Sequence, residues 1–535
     1  LRAGDVWVKG SRRYRSFEDH LMSPEAIDHL RAQGPLPLAI DTDVDQFLAQ
    51  RRTLLDRRLA EIDAKAGDDA LVDATIVKNV LKFSAITKAG PPEAEALNER
   101  LYGMIPRVRI TDLLAEVDGW TGFTECFTHL RTGETADDQR LLMTAVLADG
   151  LNLGLTRMAE ACRGTSLGRL AWTADWHLRE ETFGRALSRL VDHQHRQPLA
   201  ARFGSGRVST SDGQFFPVAG SGRGVGTING HYGPEPGTKF YTHISDRFAP
   251  FHTKVIPATA GEAIHVLDGL LHQDGADDGA HEGNGVRTHH TDGGGVSDHV
   301  FALCSLLGFR FAPRIPDLKH RKLHSFQPAA TTPTLAPMIA GKINVALIQA
   351  HWDQILRLAM SIKTGAVAAS FILRQLGAYP RQNGLALALR ELGRLERTLF
   401  TLDWLEDPAF RRQTGHELNK GEARNSLARA VFIHRLGEIR DRTYENQRHR
   451  AGGLNLLVTA IILWNTRHLE TAIGALRKSE PVPDELLAHL SPLGWEHINL
   501  TGDYVWTSDL ASENTNGMWP NRASQGTRQN RVEAA

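Results

Sequence analysis

Three acidic residues stand in short segments of distinctive composition: Asp212 in STSDGQFF, Asp292 in THHTDGGG and Glu422 in LNKGEARNSLARA. Carboxylates are hard oxygen ligands, and three that converge can hold two divalent cations about 3.5–4 Å apart beside one phosphodiester. Such a pair activates water or a 3′ hydroxyl and offsets charge on the scissile phosphate. An all-oxygen donor set favours Mg2+, with Mn2+ as a substitute. Long stretches of chain separate the three acids, so only a tertiary fold can assemble them.

Residue type alone leaves each acid open to a plainer reading. With 62 Asp and Glu in the chain, any three can be helix caps or solvated surface charges. Asp212 and Asp292 both precede glycine, a pairing that favours tight turns. Two features favour the chemical reading. Asp292 closes an extended segment, VRTHHTD, ahead of a helix, and α/β folds carry ligand-binding residues at the carboxyl ends of strands. Glu422 follows a glycine and is expected in the first turn of a helix, within reach of a sheet edge. Asp246, Asp298, Glu417 and Glu438 compete for places in the site, whereas Asp41, Asp43 and Asp45 read as surface or capping residues. None of the 24 histidines falls in a metal-binding H-E-x-x-H pattern. His290, next but one to Asp292, and His299 are placed to orient a carboxylate or a substrate.

The elements that must position these acids change character along the chain. Residues 1–195 read as mainly helical, with Leu55, Leu59 and Ile62 on one helical face. Residues 196–338 alternate strand and helix: KFYTHIS, HTKVIP, the helix GEAIHVLDGLLH, the strand ending at Asp292, then the helix SDHVFALCSLLGF. That alternation implies an α/β core. Residues 339–415 are helical throughout and read as an insertion between the second and third acids. Residues 416–475 carry the Glu422 helix and the end of the core, and 476–535 form an extension with a polar, fraying tail.

Composition sets limits. At 535 residues the chain exceeds one ordinary core, and 41% hydrophobic with 23% charged residues describes a globular protein. Lys plus Arg equals Asp plus Glu, at 62 each, so net charge neither supports nor excludes a nucleic-acid partner. The three scattered cysteines fit a reducing compartment. The most apolar run, Leu454 to Trp464, is too short to cross a bilayer, so no membrane partner is expected. The opening LRAGDVWVKGSRRYRS has neither the pattern of a signal peptide nor an initiator Met, so a longer parent protein is expected.

Two basic clusters can track phosphates. Arg314, Lys319, Arg321 and Lys322 follow the second acid; Arg435, Arg440, Arg442, Arg448 and Arg450 follow the third. A salt-bridged helix face is the competing reading, most of all for the second cluster, where Glu438, Asp441 and Glu445 intervene. The glycine-dense stretch 204–237 matches neither a dinucleotide fingerprint nor a Walker motif.

At these segments the chain resembles the replicative transposases of the Tn-three family. The resemblance rests on ordered pieces: LVDHQHRQPLARFGSG, STSDGQFFP, HYGPEPGTKFYTHISDRFAPFHTKVI, HHTDGGGVSDHVFALCSLLGFRFAPRIPDL, ELNKGEARNSLARAVF, YENQRHRAGGLNLLVTAIILWNTRHLETA and SPLGWEHINLTGDYVW. It implies a ribonuclease-H-like catalytic core with a large helical insertion, flanked by mainly helical regions. It also implies an Asp-Asp-Glu triad, which falls on Asp212, Asp292 and Glu422. Such enzymes free a 3′ hydroxyl at each transposon end and join it to target DNA. The implied partners are terminal inverted repeats, target DNA and a second copy of the chain, in a bacterial cytoplasm at nucleoid or plasmid. Family members run to roughly twice this length, with an amino-terminal region for repeat recognition that has no counterpart here. Gly293, where the family commonly has Thr, is expected to loosen the turn after the second acid. An inert DNA-binding or regulatory remnant and a metal-dependent nuclease without joining activity are the competing functions.

Overall fold

A computed structural model describes residues 7–506, apart from 9–10, 12–14, 78–79, 85–89, 220–225, 273–284, 317, 319–321, 379–382 and 442. The site depends on one six-stranded sheet. Its strands are β1 (Val208–Pro217), β2 (Thr227–Ile228), β3 (Pro236–Ser245), β4 (Pro250–Pro257), β5 (Thr288–Thr291) and β6 (Arg310–Phe311). β1 pairs antiparallel with β3, which pairs antiparallel with β4 along its far edge, where β2 also joins. On its other side β1 pairs in parallel with β5, and β5 with β6. Three antiparallel strands continued by two parallel ones, with helices on both faces, are the ribonuclease-H-like core. β3 is buried along nearly its whole length, as befits a strand paired on both edges.

Helices cover the two faces with separate cores. Phe216, Phe240 and Val255 point into one, together with Leu427 and Phe432 and a helical scaffold that includes α1 (Gln139–Gly150) and α2 (Glu180–His195). Tyr241, Ile256 and Phe311 point into the other, with α3 (Asp298–Leu307) and α4 (Gly384–Glu406). The alternation of Phe240 and Tyr241 between the cores is the two-residue period of a strand. The expected helix face Leu55, Leu59 and Ile62 is buried in the second core. Asp43 caps that helix through Gln46 N, and Asp45 accepts from Gln349, so the acidic trio is structural.

Two further long helices follow α4. α5 (Pro408–Val431) follows α4 after a break at Asp407, whose carboxylate caps it through Ala409 N and Phe410 N. The expected division at 415/416 therefore falls inside a helix, and Asp407 is where the chain breaks. α6 (Tyr444–Leu476) is buried on all sides between Leu454 and Asn465, which explains why that run is so rich in apolar residues. No helix among the described residues is long and apolar enough to cross a membrane. Gly453 of α6 meets Gly150 of α1 so closely that a Cβ on Gly453 would lie 2.8 Å from Gly150 N.

Gly393 makes the contact that locks the inserted helices to the core. A Cβ there would sit 1.7 Å from the carbonyl oxygen of Asp298, at the start of α3. Both elements present backbone at this point, so neither can yield by a rotamer change. Gly393→Ala is expected to destabilise the fold by about 3 kcal/mol or more. Equilibrium urea denaturation of the variant against the wild type measures it.

Candidate active site

Asp212 lies in the middle of β1, and Asp292 is the residue immediately after β5. Ser211 and Thr291 are partners in the parallel ladder, so the next residue of each strand is an aspartate. β1 continues against β3, with Asp212 opposite Thr242, whereas β5 leaves the sheet in a short 3-10 turn, Gly293–Gly295. The ladder thus opens at the level of the two acids and leaves a cleft. Asp292 Oδ1 accepts from Gly294 N at 2.9 Å and holds that turn. Gly293 packs with its Cα against the Pro316 ring, where a Cβ would come within 2.9 Å of Cγ. This turn is capped and packed, contrary to the loosening expected of glycine.

A third carboxylate joins them that sequence reasoning missed. Ligand atoms of Asp212, Glu262 and Asp292 all lie within 4.8 Å of one another. Glu262 precedes the turn Ala263–His265 and the helix Val266–His272. Its Oε1 accepts from the buried Lys239 Nζ at 2.7 Å, and Lys239 also donates to Ala260 O at 2.9 Å. Gly213 makes room for it, since a Cβ there would come within 2.4 Å of Glu262 Oε1. The signal that could have found Glu262 is the one used for Asp292: an acid placed between a strand, HTKVIP, and a helix. Lys239 looks like any other residue of its strand.

Glu422 approaches from α5. It sits well inside that 24-residue helix rather than in a first turn, a correction that follows from the Asp407 cap lying far upstream. Gly421 brings α5 against β1, its absent Cβ 3.4 Å from Thr210 Cγ2. One turn on, Asn425 Nδ2 donates to Asp212 Oδ2 at 2.7 Å, and Gln214 Nε2 donates to Asn425 O at 3.0 Å. The buried Arg424 donates to Asn425 Oδ1 at 3.2 Å, which turns the amide nitrogen towards Asp212. Glu422 itself is exposed and outside the three-carboxylate cluster, yet near enough for its charge to act on Asp212.

Electrostatics define what the cleft needs. Burial, then the charges of Glu262 and Asp292, push the Asp212 carboxyl up to about 6, with a smaller push from Glu422. Lys239 compensates Glu262 alone. The donor set is all oxygen and anionic, and the cluster can hold a divalent cation, which would relieve the repulsion.

The other expected site residues are dispersed. Arg314 is exposed and its backbone N–H bonds to Thr291 O at 2.8 Å, one residue from Asp292. Lys322 is exposed and donates to Pro337 O at 2.8 Å. Arg435 lies within the turn after α5 and Arg440 just beyond it, with Arg440 exposed. Arg448 is ion-paired with Glu180. Arg450 is corrected outright: it is only 6% exposed and its guanidinium serves Asp441 at 2.8 Å, Asp149 at 3.3 Å and Ala148 O, so no phosphate reaches it. Lys319, Arg321 and Arg442 lie outside the described residues. His290 and His299 are turned away, bonded to Ala312 O and Ala386 O. Asp298 is paired with Arg397, Glu417 with Lys420, and Asp246 caps the Ser205–Gly206 turn.

Residues 112–504 match the family described as Tn3 transposase DDE domain. This chain belongs to that family. It is 53% identical over 508 residues to the transposase of transposon Tn501 from Pseudomonas aeruginosa, covering 95% of this chain and 51% of the relative. The transposase of Tn21 from Escherichia coli is 53% identical over 510 residues, with the same coverage. That of Tn1546 from Enterococcus faecium is 40% identical over 516 residues, covering 95% and 50%. The chain spans about half the length of the curated relatives it matches. In this Tn3-family chain the cleft acids sit in the segments STSDGQFF and THHTDGGG.

Two outcomes follow from the crowded charges. The folded Asp212 carboxyl holds its proton to higher pH than the ordinary value of 3.8, so its ionisation destabilises the metal-free fold progressively from there to about 6, and fully above. Asp212→Asn is therefore expected to stabilise metal-free protein at pH 7 by on the order of 1–2 kcal/mol, and to give no gain near pH 3.5, in denaturation with chelator present. Lys239→Met leaves Glu262 buried without its cation and is expected to destabilise by about 3 kcal/mol at pH 7, with part of the loss restored by added Mg2+.

Proposed function

We propose that this chain is the phosphoryl-transfer region of a replicative transposase, and that Asp212, Asp292 and Glu422 are its catalytic acids. The observation that supports this reading is the convergence of Asp212 and Asp292 at an opened parallel ladder, with α5 pinned to Asp212 through Asn425 and Glu422 near enough for its charge to act on Asp212. Asp212 and Asp292 hold the base of the site, and Glu262, kept in line by Lys239, adds a third oxygen donor. Glu422 reaches in from the solvent side, where a DNA strand would lie. Two divalent cations, Mg2+ or Mn2+, bound there would activate the attacking oxygen and offset charge on the phosphate.

The chain's own residues then do the positioning. Asn425 fixes the rotamer of Asp212 so that Oδ1 stays free of α5, and the Gly294 N–H fixes Asp292. Arg314, beside Asp292 on the exposed rim, is placed to hold a phosphate of the scissile strand. In the first transfer a water oxygen bonds to phosphorus and the 3′ oxygen leaves as a hydroxyl. In the second that hydroxyl bonds to a target phosphate and displaces the target's own 3′ oxygen. DNA carrying transposon ends, target DNA and a second copy of the chain, one for each end, are the partners this reading calls for.

The test supplies a duplex that already ends in the exposed 3′ hydroxyl of a transposon end, with plasmid target and Mg2+ or Mn2+. Joined product is expected from the wild type, and a drop of at least about a thousandfold from Asp212→Asn, Asp292→Asn or Glu422→Gln, each with its melting temperature retained or raised. Joining that survives Asp292→Asn would sink the assignment. Nicks without joints would favour a nuclease.

A further inference from the structure

Leu436 is 97% exposed, whereas the next most exposed large apolar residue among those described, Ile228, is 62% exposed. Single exposed leucines are ordinary; this one is held out by unusual backbone. Arg435, Leu436 and Gly437 are three consecutive left-handed residues, with φ of 58°, 53° and 81°. Neither arginine nor leucine adopts that region without strain, and such strain persists only where the surroundings over-determine it.

Here the surroundings do so. The fully buried Asn152 clamps both feet of the turn, its Nδ2 donating to His434 O at 3.0 Å and Glu438 O at 2.9 Å. Ile439 N donates to Pro217 O and Ala219 N to Ile439 O, both at 2.8 Å, so the turn is stitched to the end of β1. His434 Nε2 meets the Tyr504 hydroxyl at 3.1 Å. The result is a rigid knuckle with a leucine at its tip.

Its setting is basic. Burial first, then the charges of Arg440, Arg157 and Arg450, lower the pKa of the Arg435 guanidinium, against a smaller opposite pull from Asp441. Arg440 and Arg157 are exposed, whereas Arg450 is taken up by Asp441 and Asp149. Glu438, half-buried at the foot, is the one nearby acid of the turn itself. The knuckle packs on Phe216, four residues beyond Asp212 on β1, and begins at His434, just beyond the end of the helix that carries Glu422. Strand and helix rises put the tip about 15–20 Å from the acids, or about five base steps along a duplex lying in the cleft.

We propose that the 434–438 turn is a DNA-distorting knuckle, with Leu436 inserted between base steps of a duplex whose phosphates are held by Arg435, Arg440 and Arg157. An apolar wedge flanked by arginines unstacks and kinks a duplex, and the gain in protein–phosphate contact offsets the lost stacking. A bent duplex brings a backbone phosphate towards the carboxylates that a straight one would pass by. The inference rests on the transposase reading, because it needs DNA in the cleft.

The test uses the whole chain with Ca2+ and a short duplex of arbitrary sequence, carrying 2-aminopurine at successive positions from a free 3′ end. Wild-type protein is expected to raise the fluorescence several-fold at steps near the fifth. Leu436→Asn, which tolerates the left-handed backbone, is expected to abolish the rise while Kd changes less than about threefold. Arg435→Gln and Arg440→Gln are expected to weaken binding and lower the salt slope by about one each. Leu436→Gly is expected to raise Tm, which separates the wedge from a structural role. The proposal is overturned if Leu436→Asn keeps the fluorescence rise, if wild-type protein binds with no rise, or if Leu436→Asn changes only the oligomeric state. Wild-type protein that binds no DNA brings down the transposase reading as well.

Discussion

The parallel pairing of Ser211 with Thr291 governs the rest of this molecule. It makes Asp212 and Asp292 neighbours and, because β5 stops there, it opens the sheet where the acids need room. Everything packed around that point serves to keep like charges close together. Lys239 neutralises Glu262 from beneath, Asn425 and the Gly213 N–H share the oxygens of Asp212, and the Gly294 N–H holds Asp292. Burial first, and then the neighbouring carboxylates Glu262 and Asp292, hold the Asp212 carboxyl above its ordinary range, because Lys239 offsets only Glu262. A fold that maintains such repulsion is arranged for a cation.

Helices of two origins bear on the sheet, and they differ in what they contribute. The scaffold around α1, α2 and α6 is a dense apolar block, with glycine-to-glycine contact between α1 and α6 and a buried arginine, Arg450, bridging Asp149 and Asp441. It immobilises one face. The inserted helices meet the other face through Gly393 against Asp298, backbone on backbone. Asp298 is also held by Arg397, so the insertion and the start of α3 move as a unit. Since α3 directly follows the Asp292 turn, the insertion braces the second acid from behind. α5 leaves the insertion after Asp407 and runs straight to Glu422, so one continuous helix links the bracing helices to the third acid.

Charge balance of the whole chain concealed a strongly uneven surface. Equal numbers of basic and acidic residues coexist with an acidic cleft and, beyond the end of α5, an arginine-flanked turn. One arginine counted as a possible phosphate contact, Arg450, turns out to be an internal strut. Arg450 is buried and bonded to Asp441, Asp149 and Ala148 O of the fold itself. Position in the fold separates Arg314 and Arg440, both exposed, from Arg450 in the core, although all three sit in similar basic stretches of sequence.

Local patterns settled much of this protein before any coordinates. The strand–helix alternation around Asp212 and Asp292, the helical insertion and the short apolar run of α6 are written in residues close together in the chain, because two-residue alternation and helical periodicity act over short range. The two acids themselves stood out through the family resemblance of their segments, since turn preference alone left them open to a plainer reading. Only the tertiary structure decided the rest. Glu262 gained its place because Gly213 has no side chain and a lysine from another strand meets it. Glu422 proved to lie deep in a helix because the cap that starts that helix is far upstream. Arg450 was lost to the core and Leu436 pushed into solvent by Asn152, a residue remote in sequence. Burial and charge compensation depend on what arrives from elsewhere in the chain, and no short-range pattern encodes that.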